Sequence, residues 1–383
     1  MSDLLDDRAE DAFRAAFAEH ADRFEPAPLG PVTGRPRVRR WAGVVAAASV
    51  LAVLGGTALA VVLSRDDASE PGRETDRTTA NEPAPDGWRY ESYRDVQVEV
   101  PEAWDYDAAP GSDWCAAVPG GEGRFPTEPY VGVPRGGVRM IHCGDGAPDL
   151  LGGQVPERLW TTHVSFADAG VDGVDDGTET AAGWTRIART VGLAQVRVLT
   201  DSEHLDEARE IVESARVVEA DHNGCAVTSP IQANRWVGPK EPFDVAEIDD
   251  IDTIGVCQYG IGVGTSQPWL LASRKLTGAA ADDVLAAIKN APIGGGPDRP
   301  ETCLHDVEGS GLVLRLARGA EVHEMYVYYI SCVNNGFDDG ANRRELTVDS
   351  CIPLFGERVA YSIGDGTPGR RCHAQMATTA PKP

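Results

Sequence analysis

The chain has 383 residues, with 60 acidic against 35 basic side chains and a formal net charge of −25 at pH 7. Such a balance repels polyanions, so it excludes an electrostatic nucleic-acid binder, and no nucleic-acid partner is expected. The length exceeds one ordinary hydrophobic core, which predicts more than one folded domain.

Residues 1–40 read as a cytoplasmic tail. Leu5, Ala9, Ala12, Phe13, Ala16, Phe17, Ala21 and Phe24 recur at spacings of three and four, which predicts a short amphipathic helix ended by Pro26 and Pro28. An isolated helix of this length is marginal in water. It can dock on a cytosolic protein partner, lie on the membrane, or remain a solvated spacer with partial helicity. A polar face with more acids than arginines weighs against an anionic membrane.

Trp41 to Leu63 is an uncharged apolar run of 23 residues. As a helix it reaches roughly 34 Å, enough to cross the lipid bilayer once. Arg35, Arg37, Arg39 and Arg40 cluster before it, while Arg65, Arg73 and Arg77 are spread among acids after it. This modest bias places the N-terminus inside the cell. Ala58-Leu59-Ala60 has the form of a signal-peptide cleavage site, but apolar residues continue to Leu63. An uncleaved anchor is therefore the expectation.

All the cysteines lie beyond this run: Cys115, Cys143, Cys225, Cys257, Cys303, Cys332, Cys351 and Cys372. An even number on one side of a span suits disulfides in an oxidising compartment, and so an extracytoplasmic C-terminal part. Spacing suggests sequential bridges 115–143, 225–257, 303–332 and 351–372, although spacing alone does not fix connectivity. Their expected role is stability.

Residues 64–87 hold nothing more apolar than Ala, Thr or Pro and predict a flexible linker. Composition then predicts two globular domains, 88–220 and 221–364, followed by a mostly disordered tail, 365–383. In the first, Val96, Val98 and Val100 alternate as a strand closed by Pro101, and Gly136–Cys143 and Ala194–Leu199 predict two more. A helix follows, with Thr200 and Glu203 as its capping box and Leu205, Ala208, Ile211, Val212 and Ala215 as its apolar stripe. In the second, strands are predicted at Thr253–Tyr259, Trp269–Lys275, Leu312–Leu316 and Val322–Cys332. A helix from Ala279 to Asn290 buries Val284, Leu285 and Ile288. Two strand–helix stretches, AQVRVLTDSEHLDEAREIVESA and WLLASRKLTGAAADDVLAAIKNA, look alike and raise the prospect of a repeat. The expected class is α+β: two small antiparallel-sheet domains with flanking helices, preceded by a single transmembrane helix.

The layout of tail, Arg37-Val38-Arg39-Arg40 and span resembles a group of uncharacterised actinobacterial single-pass membrane proteins. The segments VCQY, LLASRKL, AAIKNAP, GPD and SCVNNGFDDG, followed by RELT, resemble a cysteine-containing extracytoplasmic module of that group. Such proteins often accompany extracytoplasmic-function sigma factors, so the resemblance implies an envelope-sensing or regulatory role and no catalytic residues. Zinc-type anti-sigma domains carry a His/Cys cluster, whereas this tail holds His20 and no cysteine.

No GxSxG elbow, SxxK pair, HExxH helix or phosphate-binding GxxxxGK[ST] loop occurs. His323-Glu324 begins like a zinc motif, but Val327 stands where a second histidine is needed. Asp168, Asp172, Asp175, Asp176 and Glu179 lie among glycines and offer oxygen ligands of the kind Ca²⁺ takes, without EF-hand spacing; a solvated acidic loop is the expectation. Asn334-Asn335-Gly336-Phe337-Asp338-Asp339-Gly340 reads as hairpin-turn chemistry. The sequence thus predicts a membrane-anchored extracytoplasmic binding or sensing protein, non-enzymatic, with no cofactor or metal. A structural envelope protein and an uncharacterised hydrolase are the alternatives.

Overall fold

The computed structural model describes residues 83–110, 114, 125–133, 155–171, 174–231, 237–261, 267–296, 298, 311–329, 333–360 and 372. The expected tail helix, the span 41–63, the strand 136–143 and the bridges 115–143 and 303–332 lie outside the described residues, as does all of the 365–383 tail except Cys372. Among the described residues no helix is long and apolar enough to cross a membrane. The described residues all fall in one compact unit.

The protein is sheet-rich α+β. The first sheet joins β1 (Trp88–Tyr93), β2 (Val96–Pro101) and β9 (Arg216–Val217), all antiparallel. The second takes β3 (Asp105–Asp107), β4 (Tyr130–Gly132), β5 (His163–Asp168), β8 (Ala194–Thr200), β7 (Trp184–Val191) and β6 (Gly177–Ala181), in that spatial order. The third takes β11 (Pro268–Thr277), β10 (Thr253–Ile261), β12 (Gly311–Arg318), β13 (Glu321–Tyr328), β14 (Gly336–Asp338) and β15 (Arg343–Arg344), all antiparallel. One correction to the antiparallel expectation concerns the second sheet, where β3–β4 and β4–β5 run parallel.

Two helices cover sheet faces. Helix α1 (Leu205–Ser214) lays Ala208, Ile211 and Val212 on Val96 and Val98 of β2 and on Val196 and Val198 of β8. Helix α2 (Ala279–Asn290) lays Ala281, Val284, Leu285 and Ile288 on Ile254, Val256, Leu314 and Leu316. Each fully buried aliphatic side chain contributes about 1.5–3 kcal/mol. A short α3 (Val348–Cys351) begins with a capping box between Thr347 and Ser350. The box expected from Thr200 and Glu203 does not form. Thr200 completes β8 opposite Thr185, and Asp201 Oδ1 instead accepts from the Glu203 and His204 amides, each at 3.0 Å. A carboxylate at a helix start also meets the positive end of the helix dipole.

The reverse face of the third sheet buries Cys225, Cys257, Tyr259, Leu270 and Tyr326. A bulge gives this face its side chains. Gln258 pairs with Ala272 but Tyr259 pairs with Leu270, so Leu271 is the extra residue. The bulge changes the alternation of β11 and puts Leu270, Ser273 and Lys275 on one side. The halves on either side of residue 220 are joined by hydrogen bonds. The Arg94 amide donates to Leu270 O at 2.7 Å, and the His222 amide donates to Gln97 Oε1 at 2.9 Å.

Candidate functional site

A tight turn at 221–225 builds one wall of a cleft. Asp221 is fully buried, and its carboxylate accepts from the Cys225 amide at 2.8 Å, the Asn223 amide at 3.0 Å and the Ser273 hydroxyl. Cys225 is bonded to Cys257, their Cα atoms 5.5 Å apart, and Cys257 stands opposite Ser273 in the β10–β11 register. The disulfide and the strand pairing therefore fix the turn against Ser273. Burial raises the Asp221 pKa, opposed by its hydrogen bonds.

These bonds order the protons. Ser273 donates to Asp221, so its oxygen accepts from Asn223 Nδ2 at 2.9 Å. The same amide nitrogen lies 2.9 Å from His222 Nε2, which must accept, so the neutral imidazole carries its proton on Nδ1. Nδ1 is buried with no hydrogen-bond partner among the described residues. Burial brings the His222 pKa down to about 4, with Glu91 opposing and Lys275 reinforcing the shift.

Strand β1 builds the opposite wall. Arg89 Nε donates to Glu91 Oε1 at 3.1 Å and to the Tyr106 hydroxyl at 2.9 Å, and its other nitrogens reach the carbonyls of Pro101, Glu102 and Trp104. Tyr106 donates to Glu91 at 2.7 Å, and burial followed by the Glu91 charge drives its pKa up. Glu357, paired with Arg274 at 3.5 Å, and Lys275 of β11 also border the cleft, whose volume is about 520 Å³. Pro83 and Ala84 close one side, held by the Tyr90 hydroxyl on Pro83 O at 3.4 Å. Lys275 is exposed and has no ion-pair or hydrogen-bond partner among the described residues.

Ser273, His222 and Asp221 are the residue types of a hydrolytic triad, but their order differs from one. The Asn223 amide stands between imidazole and hydroxyl, and the hydroxyl proton is held by Asp221. An imidazole that does not reach the hydroxyl cannot take its proton as general base. The cluster makes a rigid wall. A second cavity of about 140 Å³ is bordered by His163, Arg186 and Arg197. There His163 Nδ1 meets Thr161 O at 2.8 Å, Arg186 pairs with Glu179, and Arg197 donates to Gln195 Oε1 at 2.6 Å.

Two of the sequentially spaced bridges are present, Cys225–Cys257 and Cys351–Cys372. Cys115, Cys143, Cys303 and Cys332 lie outside the described residues. In the acidic stretch around Asp168, Asp172 lies outside the described residues, while Asp168, Asp176 and Glu179 each engage protein donors. Asp168 binds Arg94 through two contacts, 2.6 and 3.0 Å, and Asp176 accepts from the Thr190 backbone amide at 2.9 Å and from Gln195 Nε2 at 2.9 Å. Among the described residues no group of three His, Cys, Asp or Glu side chains could hold a metal ion. His323 stacks on Phe243 at 4.8 Å and meets Glu321 at 3.1 Å. Asp339-Gly340 turns β14 into β15, as its composition predicts, with Gly340 at φ 86°. Asn335-Gly336 instead leads into β14, and the amides of Asn334 and Asn335 are held by Asp298 at 3.0 Å each.

The cleft residues were missed in the sequence because they come from segments far apart in the chain. The one local signal is the alternation of Ser273 and Lys275 on a strand, beside the Asp221-His222-Asn223-Gly224-Cys225 turn. Compared with known proteins, the chain matches no family model, no curated protein and no solved structure.

Proposed function

We propose that the protein is a membrane-anchored extracytoplasmic binding or sensing protein, non-enzymatic, whose ligand sits in the cleft between β1 and the 221–225 turn. In this reading 41–63 cross the bilayer with the N-terminus in the cytoplasm, 64–87 form the linker, and two α+β domains, 88–220 and 221–364, carry the cleft at their seam. The observation that carries the reading is the meeting of linker and cleft. Pro83 and Ala84, at the end of the linker, border the same cavity of about 520 Å³ as Lys275 and His222. A cavity of this volume suits a small molecule, and the polar groups of its walls give orientation. Occupancy would be felt by the segment that leads to the membrane, and the tail would pass it to a cytosolic partner. The paired cysteines, and the likeness to single-pass proteins found beside sigma factors, support the same reading.

Ala84→Trp, which fills the cleft, tests it. A mixture of small acids, amines and alcohols is screened by saturation-transfer NMR against the full-length protein in lipid nanodiscs. Compounds that bind the wild type are expected to be lost in the variant. Binding of the same compounds to both proteins would contradict the assignment.

A further inference from the structure

We infer that the ligand of this cleft is a small organic monoanion, a carboxylate on an apolar or aromatic body, anchored by Lys275 and resting against Trp88. The inference depends on the cleft being the ligand seat. It follows from a charge census of the walls. Arg89 is spent on Glu91, Tyr106 and three backbone carbonyls. Arg274 donates to Phe355 O at 2.8 Å and faces Glu357 at 3.5 Å. Arg358 donates to Ser92 O at 2.7 Å and lies 3.9 Å from the second oxygen of Glu91. Asp221 is fully buried behind Ser273, and three donors occupy it. Lys275, whose charge also acts on buried Asp221, is left as the cation bordering the cleft with no hydrogen bond or ion pair among the described residues, in a chain whose net charge is −25.

A cationic ligand fits poorly. Of the three aromatic rings in the cleft, two already carry arginines on a face, Arg89 at 4.6 Å from the Tyr106 centroid and Arg216 at 4.9 Å from that of Tyr90, and the third, Trp88, borders the same cavity as Lys275, whose charge repels a second cation. A phosphate or polyanion fits poorly too, because such groups are held by several free donors or by a guanidinium fork, and the forks here are occupied. One ammonium matches one carboxylate. Trp88, Ala84 and Pro83 supply the apolar side of the cavity.

Three probes of matched size decide: phenylacetate, benzyl alcohol and benzylamine, titrated against the full-length protein in zwitterionic nanodiscs. Phenylacetate is expected to bind tighter than benzyl alcohol by about tenfold, with benzylamine weakest. Lys275 is exposed on β11, so its variants should keep the fold. Lys275→Met should bring acid and alcohol level, and Lys275→Glu should move the preference to benzylamine. Suppose benzylamine binds the wild type best, or Lys275→Met keeps the preference for phenylacetate, while Ala84→Trp abolishes binding. The anion assignment then falls and the cleft remains the seat. Binding that survives Ala84→Trp, or no binding by any probe, overturns both.

Discussion

The guanidinium of Arg358 donates to the carbonyl of Ser92 at 2.7 Å, across 266 residues of sequence. The same side chain reaches Gly132 O at 3.3 Å and Leu271 O at 3.4 Å, and lies 4.2 Å from the centroid of the Phe166 ring. One arginine thus ties β1, β4 and β11 together, and the β11 carbonyl it uses belongs to the bulge residue. Burial lowers its pKa, with Glu91 opposing. Removing one partner of such a buried set leaves the others unsatisfied, which costs about 3–5 kcal/mol.

Arg358→Met is therefore expected to lower stability by about 3–5 kcal/mol in urea unfolding, and Arg358→Lys to recover little of it, because one ammonium cannot replace a planar fork. A loss below about 1 kcal/mol would contradict the role, since that is the range of an exposed ion pair.

The Cys225–Cys257 bond closes a sequence separation of 32 residues and fixes the turn that carries His222 and Asn223. Replacing both cysteines by serine should cost about 2–4 kcal/mol. It should also weaken phenylacetate binding, because the Asp221–Ser273 contact loses its support. Guanidinium unfolding with and without reductant checks the first point. An unchanged midpoint would refute it.

Acid should destabilise the fold through His222. Its pKa is about 4 in the folded protein against 6.5 ordinarily. Between these values the unfolded chain holds a proton that the folded chain does not, so this group's share of stability is full above pH 6.5 and falls as the pH drops toward 4. Below that both states are charged and the slope ends. Fully buried His163 shifts in the same direction. Asp221 and Glu357 are raised by burial, so they keep their protons longer when folded and act in the opposite sense. Comparing wild type with His222→Gln cancels these other groups. The variant should lose less stability between pH 6.5 and 4. Parallel curves would count against a neutral His222.

Asp168 serves Arg94, which sits at φ 56° in the β1–β2 turn, and also accepts from the Tyr93 hydroxyl at 2.9 Å. Asp168→Ala should destabilise by about 3 kcal/mol, the cost of stranding a buried guanidinium. Millimolar Ca²⁺ should raise the melting temperature of neither protein. A rise in the wild type alone would return Asp168 to the role of a cation ligand.

Much of the fold was legible where one face of an element is apolar. Helix α2 spans Ala279–Asn290 as its spacing predicts, because Val284, Leu285 and Ile288 must share a side and Pro292 stops the pattern. Strand β2 follows the alternation of Val96, Val98 and Val100. The parallel pairs were not legible, since β3 and β4 are three residues each and show no periodicity. The two look-alike strand–helix stretches become β8–α1 and β11–α2. Strand β8 lies inside its sheet and β11 at the edge of another, a difference that only long-range pairing decides. The cap at Asp201 was hidden because Thr200 is drawn into β8. The cleft was hidden for the same kind of reason: Trp88, Tyr106, His222, Lys275 and Glu357 meet only through sheet assembly, the bulge at Leu271 and a disulfide.

The central claim, a ligand seat at the end of the linker, is tested most directly by hydrogen–deuterium exchange on the full-length protein in nanodiscs, with and without phenylacetate. Added protection is expected at 83–91, 221–224 and 273–276, the segments that wall the cleft. Protection confined to other segments at saturating phenylacetate, or none with phenylacetate, benzyl alcohol or benzylamine, would contradict it.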